Sequence, residues 1–180
     1  MENRMILLFG VSNVGKTTAG TLLAEKLEVP FFDLDTEVKK YFEITLEQFV
    51  NSGTLEDRDR KRGMVLEEIL KDGKSKVVAV TPISYPQYIR RSLRKKGVLA
   101  VELRDSPENI FNRLVFSDEN DEIYTDEGYK EKNRIPLIRE IRKDLEWYGS
   151  VYKIIPEKYD MNGETPEETA NGLFQKYGTA

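Results

Sequence analysis

Residues Gly10 to Thr17 read Gly-Val-Ser-Asn-Val-Gly-Lys-Thr and match the spacing G-x-x-x-x-G-K-[ST] in full. Each fixed residue has a physical task in that pattern. The glycines let a loop curl until successive backbone N–H groups point inward at a phosphate. The helix that follows adds the field of its N-terminus. Lys16 is expected to bridge the β- and γ-phosphates of a nucleoside triphosphate, and Thr17 to place its hydroxyl on Mg²⁺. Gly10, Ser12, Asn13, Val14, Gly15, Lys16, Thr17 and Thr18 are therefore the expected nucleotide-binding residues, with ATP and Mg²⁺ as ligands.

A second group of reactive residues follows in Phe31-Phe32-Asp33-Leu34-Asp35. In extended chain two residues that are two apart face the same way, so both carboxylates could enter one polar cleft. One near the metal's hydration shell and one near a substrate hydroxyl would suit phosphoryl transfer. Asp35-Thr36-Glu37-Val38 also reads as a helix start, where acids cap and favour the N-terminus.

The elements around these residues alternate strand and helix. Met5 to Phe9 is a short apolar run that stops at Gly10, as a buried parallel strand does. Lys16 to Leu27 has Ala19, Leu22, Leu23, Ala24 and Leu27 on one helical face. Phe31-Phe32 is a second strand. A helical region runs from Thr36 to about Ile69, broken at Ser52-Gly53. Lys76 to Val80 is the third strand and a helix covers about Pro86 to Lys95. Val98 to Leu103 is the fourth strand. Ser106-Pro107-Glu108 opens a helix to about Phe116. Asn133 to Tyr148 is helical, Tyr152 to Ile155 is the expected fifth strand, and Thr165-Pro166-Glu167 caps the last helix. Five strands separated by helices imply a single α/β domain over 1–180, with a three-layer, five-stranded parallel sheet flanked by helices.

Composition removes several chemistries. With no Cys and no His, disulfides, thiolate nucleophiles, zinc sites and imidazole acid–base catalysis are excluded. Net charge is −4 with both signs interspersed, so no nucleic-acid footprint is present. No apolar stretch reaches the length of a membrane span. The expectation is a cytoplasmic monomer or weak dimer whose partners are ATP and a small-molecule acceptor.

The phosphate loop with Lys-Thr-Thr, the Phe-x-Asp-x-Asp about seventeen residues after the Lys and the chain length together resemble the shikimate kinase family. That family belongs to the nucleoside-monophosphate-kinase-like branch of P-loop proteins. The resemblance implies a P-loop NTPase fold with strand order 2-3-1-4-5, substrate-binding helices over 36–70 and a mobile lid over 117–130. It implies that Asp33 supports the magnesium site, and that Asp35 binds the acceptor hydroxyl and takes its proton. The family's Arg five residues after a glycine falls on Arg58, and its Arg-x-Pro-Leu-Tyr resembles Arg134-Ile135-Pro136-Leu137-Ile138. Both family arginines clamp a substrate carboxylate, a task suited to a guanidinium fork. Arg113 resembles the family arginine near adenine.

Three departures concern the acceptor. The family's triple glycine after the third strand is replaced by Thr81-Pro82-Ile83, which removes a backbone donor and adds side chains. The family's Glu three residues after its first Arg is replaced by Lys61, which makes the acceptor pocket more positive. Lys61 and Thr81 join Asp35, Arg58 and Arg134 as expected substrate-binding residues. The lid segment from Ser117 to Gly128 has no basic residue and six acids: Asp118, Glu119, Asp121, Glu122, Asp126 and Glu127. It is not an EF-hand, since Ile123 stands where that loop needs Gly. Arg113, Lys130 or Lys132 are the residues that could replace a lid arginine.

The leading reading is an ATP-dependent kinase acting on a hydroxyl of a small, carboxylate-bearing acceptor, resembling shikimate kinase. A kinase of a gluconate-like or nucleotide acceptor, or a non-catalytic nucleotide-binding regulator, are the alternatives.

Overall fold

The computed structural model describes residues 3–118, 120 and 122–178. Chain order runs β1 (Met5–Phe9), α1 (Lys16–Leu27), β2 (Phe31–Asp33), α2 (Leu34–Phe42), α3 (Leu46–Val50), α4 (Leu55–Ile69) and β3 (Lys76–Ala79). A 3₁₀ turn at Pro86–Tyr88 leads to α5 (Arg90–Leu93) and β4 (Val98–Arg104). Then follow α6 (Pro107–Asn112), β5 (Phe116–Ser117), β6 (Ile123–Tyr124), α7 (Glu127–Lys132), α8 (Arg134–Val151), β7 (Glu157–Asp160) and α9 (Pro166–Tyr177).

The main sheet has five parallel strands in the order β2-β3-β1-β4-β7. This is the expected 2-3-1-4-5 order, with β7 as its fifth strand. β1 is wholly buried and its side chains alternate between two cores. Met5, Leu7 and Phe9 join Leu34, Val38, Phe49, Leu66 and Tyr152 on one face, where α2–α4 pack. Ile6 and Leu8 join Leu23, Val101, Phe111 and Leu173 on the other, beneath α1, α6 and α9. Two faces covered by helices make the three layers. No helix among the described residues is long and apolar enough to cross a membrane.

The expected fifth strand at Tyr152–Ile155 is incorrect: Tyr152–Ile154 is a 3₁₀ turn and the strand is Glu157–Asp160. Burial explains the error. Tyr152 and Ile155 are apolar because they plug the core beneath the sheet. The true strand lies at the sheet edge and pairs only with β4, so it carries the polar sequence Glu-Lys-Tyr-Asp. The helix expected to about Phe116 ends at Asn112, and Phe116 begins a two-stranded hairpin with Ile123–Tyr124 instead. The Pro86–Lys95 region is only one 3₁₀ turn and one short helix. Ser106 and Thr165 cap α6 and α9 as expected, Thr165 through a full capping box with Glu168.

Gly63 fixes how closely α4 approaches the loop after β3. A Cβ there would stand 2.5 Å from the Tyr88 carbonyl oxygen and 3.0 Å from Tyr88 Cβ. Backbone cannot yield as a flexible side chain does. Gly63→Ala should therefore lower stability by about 1–3 kcal/mol, the usual cost of overpacking, read as a lower urea midpoint with unchanged slope.

Candidate functional site

Parallel strands bring the ends of β1, β2, β3 and β4 to one edge of the sheet, and the site is built there. A cleft of about 930 Å³ lies over this edge. It is lined by Asn13, Gly15, Lys16, Thr17 and Thr18 of the loop and α1, and by Asp33, Asp35 and Thr36. Lys39 and Lys40 of α2, Arg113 after α6, and Phe116, Ser117 and Ile123 of the hairpin complete its walls.

The loop between β1 and α1 is held in a conformation only some residues tolerate. Gly10 has φ 143°, and a Cβ on it would stand 2.7 Å from the Leu103 carbonyl oxygen. Asn13 at φ 61° and Gly15 at φ 110° continue the curl. Ser12 is exposed at the tip, while Val14 is buried and anchors the loop to the core. Lys16 opens α1 with a buried side chain, and its Nζ donates to the Gly10 and Val11 carbonyl oxygens at 2.9 and 2.8 Å. Burial pulls its pKa down to about 8, against the opposing charges of Asp35 and then Asp33. A phosphate beside it would favour the charged form further.

Thr17 Oγ1 donates to Asp33 Oδ2 at 2.8 Å, which joins the end of the loop to the end of β2. Asp33 also caps α2, its Oδ1 accepting from the Asp35 and Thr36 amides at 3.1 and 3.2 Å. The cap and the cleft thus use the same residue. Asp35 is not on the strand but in the first turn of α2, so the two carboxylates reach the cleft from different elements. Among the described residues no group of three or more acidic side chains gathers to hold a metal. Thr17 and Asp33 are instead the kind of sparse oxygen set that holds Mg²⁺ together with nucleotide phosphates.

Asp35 is a carboxylate of the cleft with a perturbed environment. Burial raises its pKa; a Thr81 hydrogen bond, Arg62 and Lys16 oppose that shift, while Asp33 adds to it. Its Oδ1 is buried without a hydrogen-bond partner. Thr81, at the end of β3, is thus brought to Asp35 as a side-chain partner.

The remaining expected acceptor residues are placed otherwise. Arg58 Nη1 folds back onto the Gly53 carbonyl oxygen at 3.1 Å. Arg134 lies over the Phe111 ring at 4.6 Å and pairs with Glu131 at 3.2 Å. Neither lines the cleft. Lys61 Nζ sits 5.5 Å from the Phe42 ring and 5.9 Å from that of Phe49. Arg113 does reach the cleft, with Nη1 on Asp105 Oδ2 at 2.7 Å and Nη2 on the Glu164 carbonyl oxygen at 3.0 Å. Lys130 is buried and donates to the Asn112 carbonyl oxygen at 3.2 Å, so it serves the base of the hairpin. Of the acidic segment, Glu119 and Asp121 lie outside the described residues. Asp118 Oδ1 accepts from the Asn120 and Glu122 amides at 2.8 and 2.9 Å and closes the hairpin turn.

Sequence reasoning missed Asp59 and Arg62. Asp59 is completely buried; its Oδ1 accepts from Arg62 Nη1 at 3.1 Å, and its Oδ2 from the Ser84 and Tyr85 amides at 2.7 and 3.1 Å. The loop that replaces the triple glycine therefore spends backbone donors on a carboxylate of α4. A signal was present: Asp59, Arg62, Gly63 and Leu66 fall at i, i+3, i+4 and i+7, the spacing of a buried helical face. The run of charge around them masks it.

Residues 12–174 match the family model described as shikimate kinase. A shikimate kinase of Caldicellulosiruptor saccharolyticus is 36% identical over 137 residues, covering 74% of this chain and 76% of that protein. One from Enterococcus faecalis is 28% identical over 172 residues, covering 95% and 96%. Among solved structures, the shikimate kinase of Bacteroides thetaiotaomicron superposes with a TM-score of 0.77 at 24% identity, over 98% of this chain and 99% of that one. Shikimate kinase of Acinetobacter baumannii in complex with shikimate gives 0.73 at 25% identity, over 97% and 92%.

Proposed function

We propose, on the premise that this chain belongs to the shikimate kinase family, that it transfers the γ-phosphoryl group of ATP to a hydroxyl of shikimate. The observation that carries this reading is convergence: Lys16, the Thr17–Asp33 pair and Asp35 meet in one cleft from three separate elements. The acceptor is named from the Acinetobacter baumannii structure, which is a complex with shikimate.

In the reaction an acceptor oxygen attacks the γ-phosphorus as the bond to the bridging oxygen breaks, and ADP leaves. The acceptor proton passes to Asp35, whose buried carboxylate is held facing the cleft and made more basic by its surroundings. Lys16 neutralises charge on the transferring group and the loop amides hold the β-phosphate. Mg²⁺, which Thr17 and Asp33 would hold, would neutralise negative charge on the nucleotide phosphates. Arg113, fixed by Asp105 and the Glu164 carbonyl, borders the nucleotide end. Helices α2–α4 form the acceptor side, and residues 117–130 act as a lid over the cleft, whose hairpin already lines it. Lys39 and Lys40 stand in the same wall, Lys40 with its Nζ on Glu37 Oε1 at 2.7 Å.

A coupled assay of ADP release tests this directly. Shikimate should stimulate ADP release by at least about 10²-fold over ATP alone, as positioned acceptor and base act together. Tight ATP binding with no shikimate-dependent release would reject the reading.

A further inference from the structure

Asp105 follows β4 directly; its side chain is 1% exposed and does not line the cleft. A carboxylate buried this far costs free energy unless donors meet its oxygens. Here groups from separate parts of the chain meet it. Oδ1 accepts from the Ser106 amide at 2.8 Å and from Asn109 Nδ2 at 2.7 Å, at the start of α6. Oδ2 accepts from Arg113 Nη1 at 2.7 Å, just beyond the end of that helix. The Gly163 amide, in the loop between β7 and α9, approaches the two oxygens at 3.2 and 3.3 Å. Only a residue without a side chain fits so close, since a Cβ on Gly163 would stand 3.1 Å from Asn109 Nδ2. The same loop returns a second bond to the arginine, the Glu164 carbonyl oxygen accepting from Arg113 Nη2 at 3.0 Å. Tyr159 of β7 steadies the loop by donating to Glu164 Oε2 at 2.9 Å. Arg113, Met161 of the loop and Pro166 after it all line the cleft.

Two bonds, one on each terminal nitrogen, fix the plane of the Arg113 guanidinium. Because one carboxylate holds both the arginine and the loop, it also sets the gap between them. We infer that Asp105 is a positioning residue for the nucleotide: it holds the Arg113 plane and the loop 161–165 at the spacing that receives the flat base of ATP. This inference rests on the nucleotide end of the kinase reading and not on its acceptor. Asp105 itself touches no ligand and acts through Arg113 and the Gly163 amide. The phosphates are held elsewhere, by the loop before α1, so the base contact alone depends on Asp105. A cation preset for a ring costs no ordering when the ring arrives, whereas a free arginine does.

Asp105→Asn keeps the size of the side chain but cannot accept from every group around it, because one of its two ends becomes a donor. Calorimetry with the β,γ-imido analogue of ATP and with inorganic tripolyphosphate, acceptor absent, separates base from phosphate. The variant should bind the analogue about 3–30-fold more weakly, the range of a cation–ring contact, and tripolyphosphate within about twofold of wild type. In the coupled assay the KM for ATP should rise by a similar factor while the KM for shikimate stays. Arg113→Met should show the same loss, and the double variant Asp105→Asn, Arg113→Met should fall within about twofold of Arg113→Met alone, since the two act as a unit. A part confined to the fold would lower the melting temperature and leave the ratio of the two affinities as it is. Asp105→Ser serves if the Asn variant folds poorly, and the same split is expected. If wild type binds the analogue but does not turn over shikimate, the acceptor assignment fails and the calorimetric split decides this inference alone. An unchanged ratio, additive losses in the double variant, equal wild-type affinity for the analogue and tripolyphosphate, or failure of both Asp105 variants to fold overturns it.

Discussion

Lys16→Met should reduce turnover by about 10²–10³, the usual loss when one preorganised donor to developing negative charge is removed, while the fold stays intact. The two halves of that result have separate causes. In phosphoryl transfer the protein contributes position and charge, and Lys16 is the cation built into the loop itself. In the free protein, however, its ammonium is buried against two carbonyl oxygens and depressed to about 8 by that burial. Methionine deletes two hydrogen bonds, worth about 1 kcal/mol each, and also deletes a desolvated charge. These effects oppose one another, so the melting temperature should move by only about 3 °C or less. Lys16→Arg should not rescue, because a planar fork cannot occupy the place of a compact ammonium between Gly10 and Val11. ADP release and a thermal melt on the same preparations check both halves. A Lys16→Met protein that keeps more than about a tenth of wild-type turnover would remove Lys16 from the mechanism.

How far the sequence reveals such a site depends on whether a residue's neighbours lie near it in the chain. The phosphate loop is legible because its geometry is local: eight consecutive residues specify the curl, and the flanking apolar strand and helix supply the frame. Asp33 is legible for the same reason, as the last residue of a strand that ends at the same sheet edge. Arg58 shows the opposite case. Its distance from Gly53 fits the family spacing, and the structure uses that distance for a bond back to the Gly53 carbonyl. The next residue, Asp59, is fixed by amides at residues 84 and 85, some 25 positions away, and in turn holds Arg62. Only the folded chain brings those together. The fifth strand was misplaced on similar grounds, since an edge strand carries little apolar signal and the buried Tyr152 beside it carries much.

The loop after β3 connects these two cases. Where the family places three glycines, Thr81 hydrogen-bonds Asp35, Ile83 enters the core, and the amides of Ser84 and Tyr85 hold Asp59. This loop and the buried Asp59–Arg62 pair on α4 are therefore joined by direct hydrogen bonds. The phosphate loop is thus set by residues adjacent in the chain, and this corner of the molecule by contacts between distant segments.

Asp35→Asn should lower kcat by about 10²–10⁴, the range for a positioned general base, with the KM for ATP little changed. Asparagine has the shape to stay on α2 and keep Thr81 as a neighbour, but its amide cannot take the acceptor proton. The same substitution should raise stability at neutral pH. Burial raises the Asp35 pKa in the fold above the unfolded value of 3.8, so the folded state binds the proton more readily than the unfolded one. Stability conferred by this group is then complete below about pH 3.8 and is lost as pH rises through the folded value. Wild type carries that penalty at pH 7 and the variant does not, so the variant should melt higher at pH 7, with the gap closing in acid. Gain of stability with loss of turnover is the mark of a residue kept for chemistry rather than for the fold. A variant that lost both would show Asp35 to be a structural cap, which Asp33 already provides for the same helix.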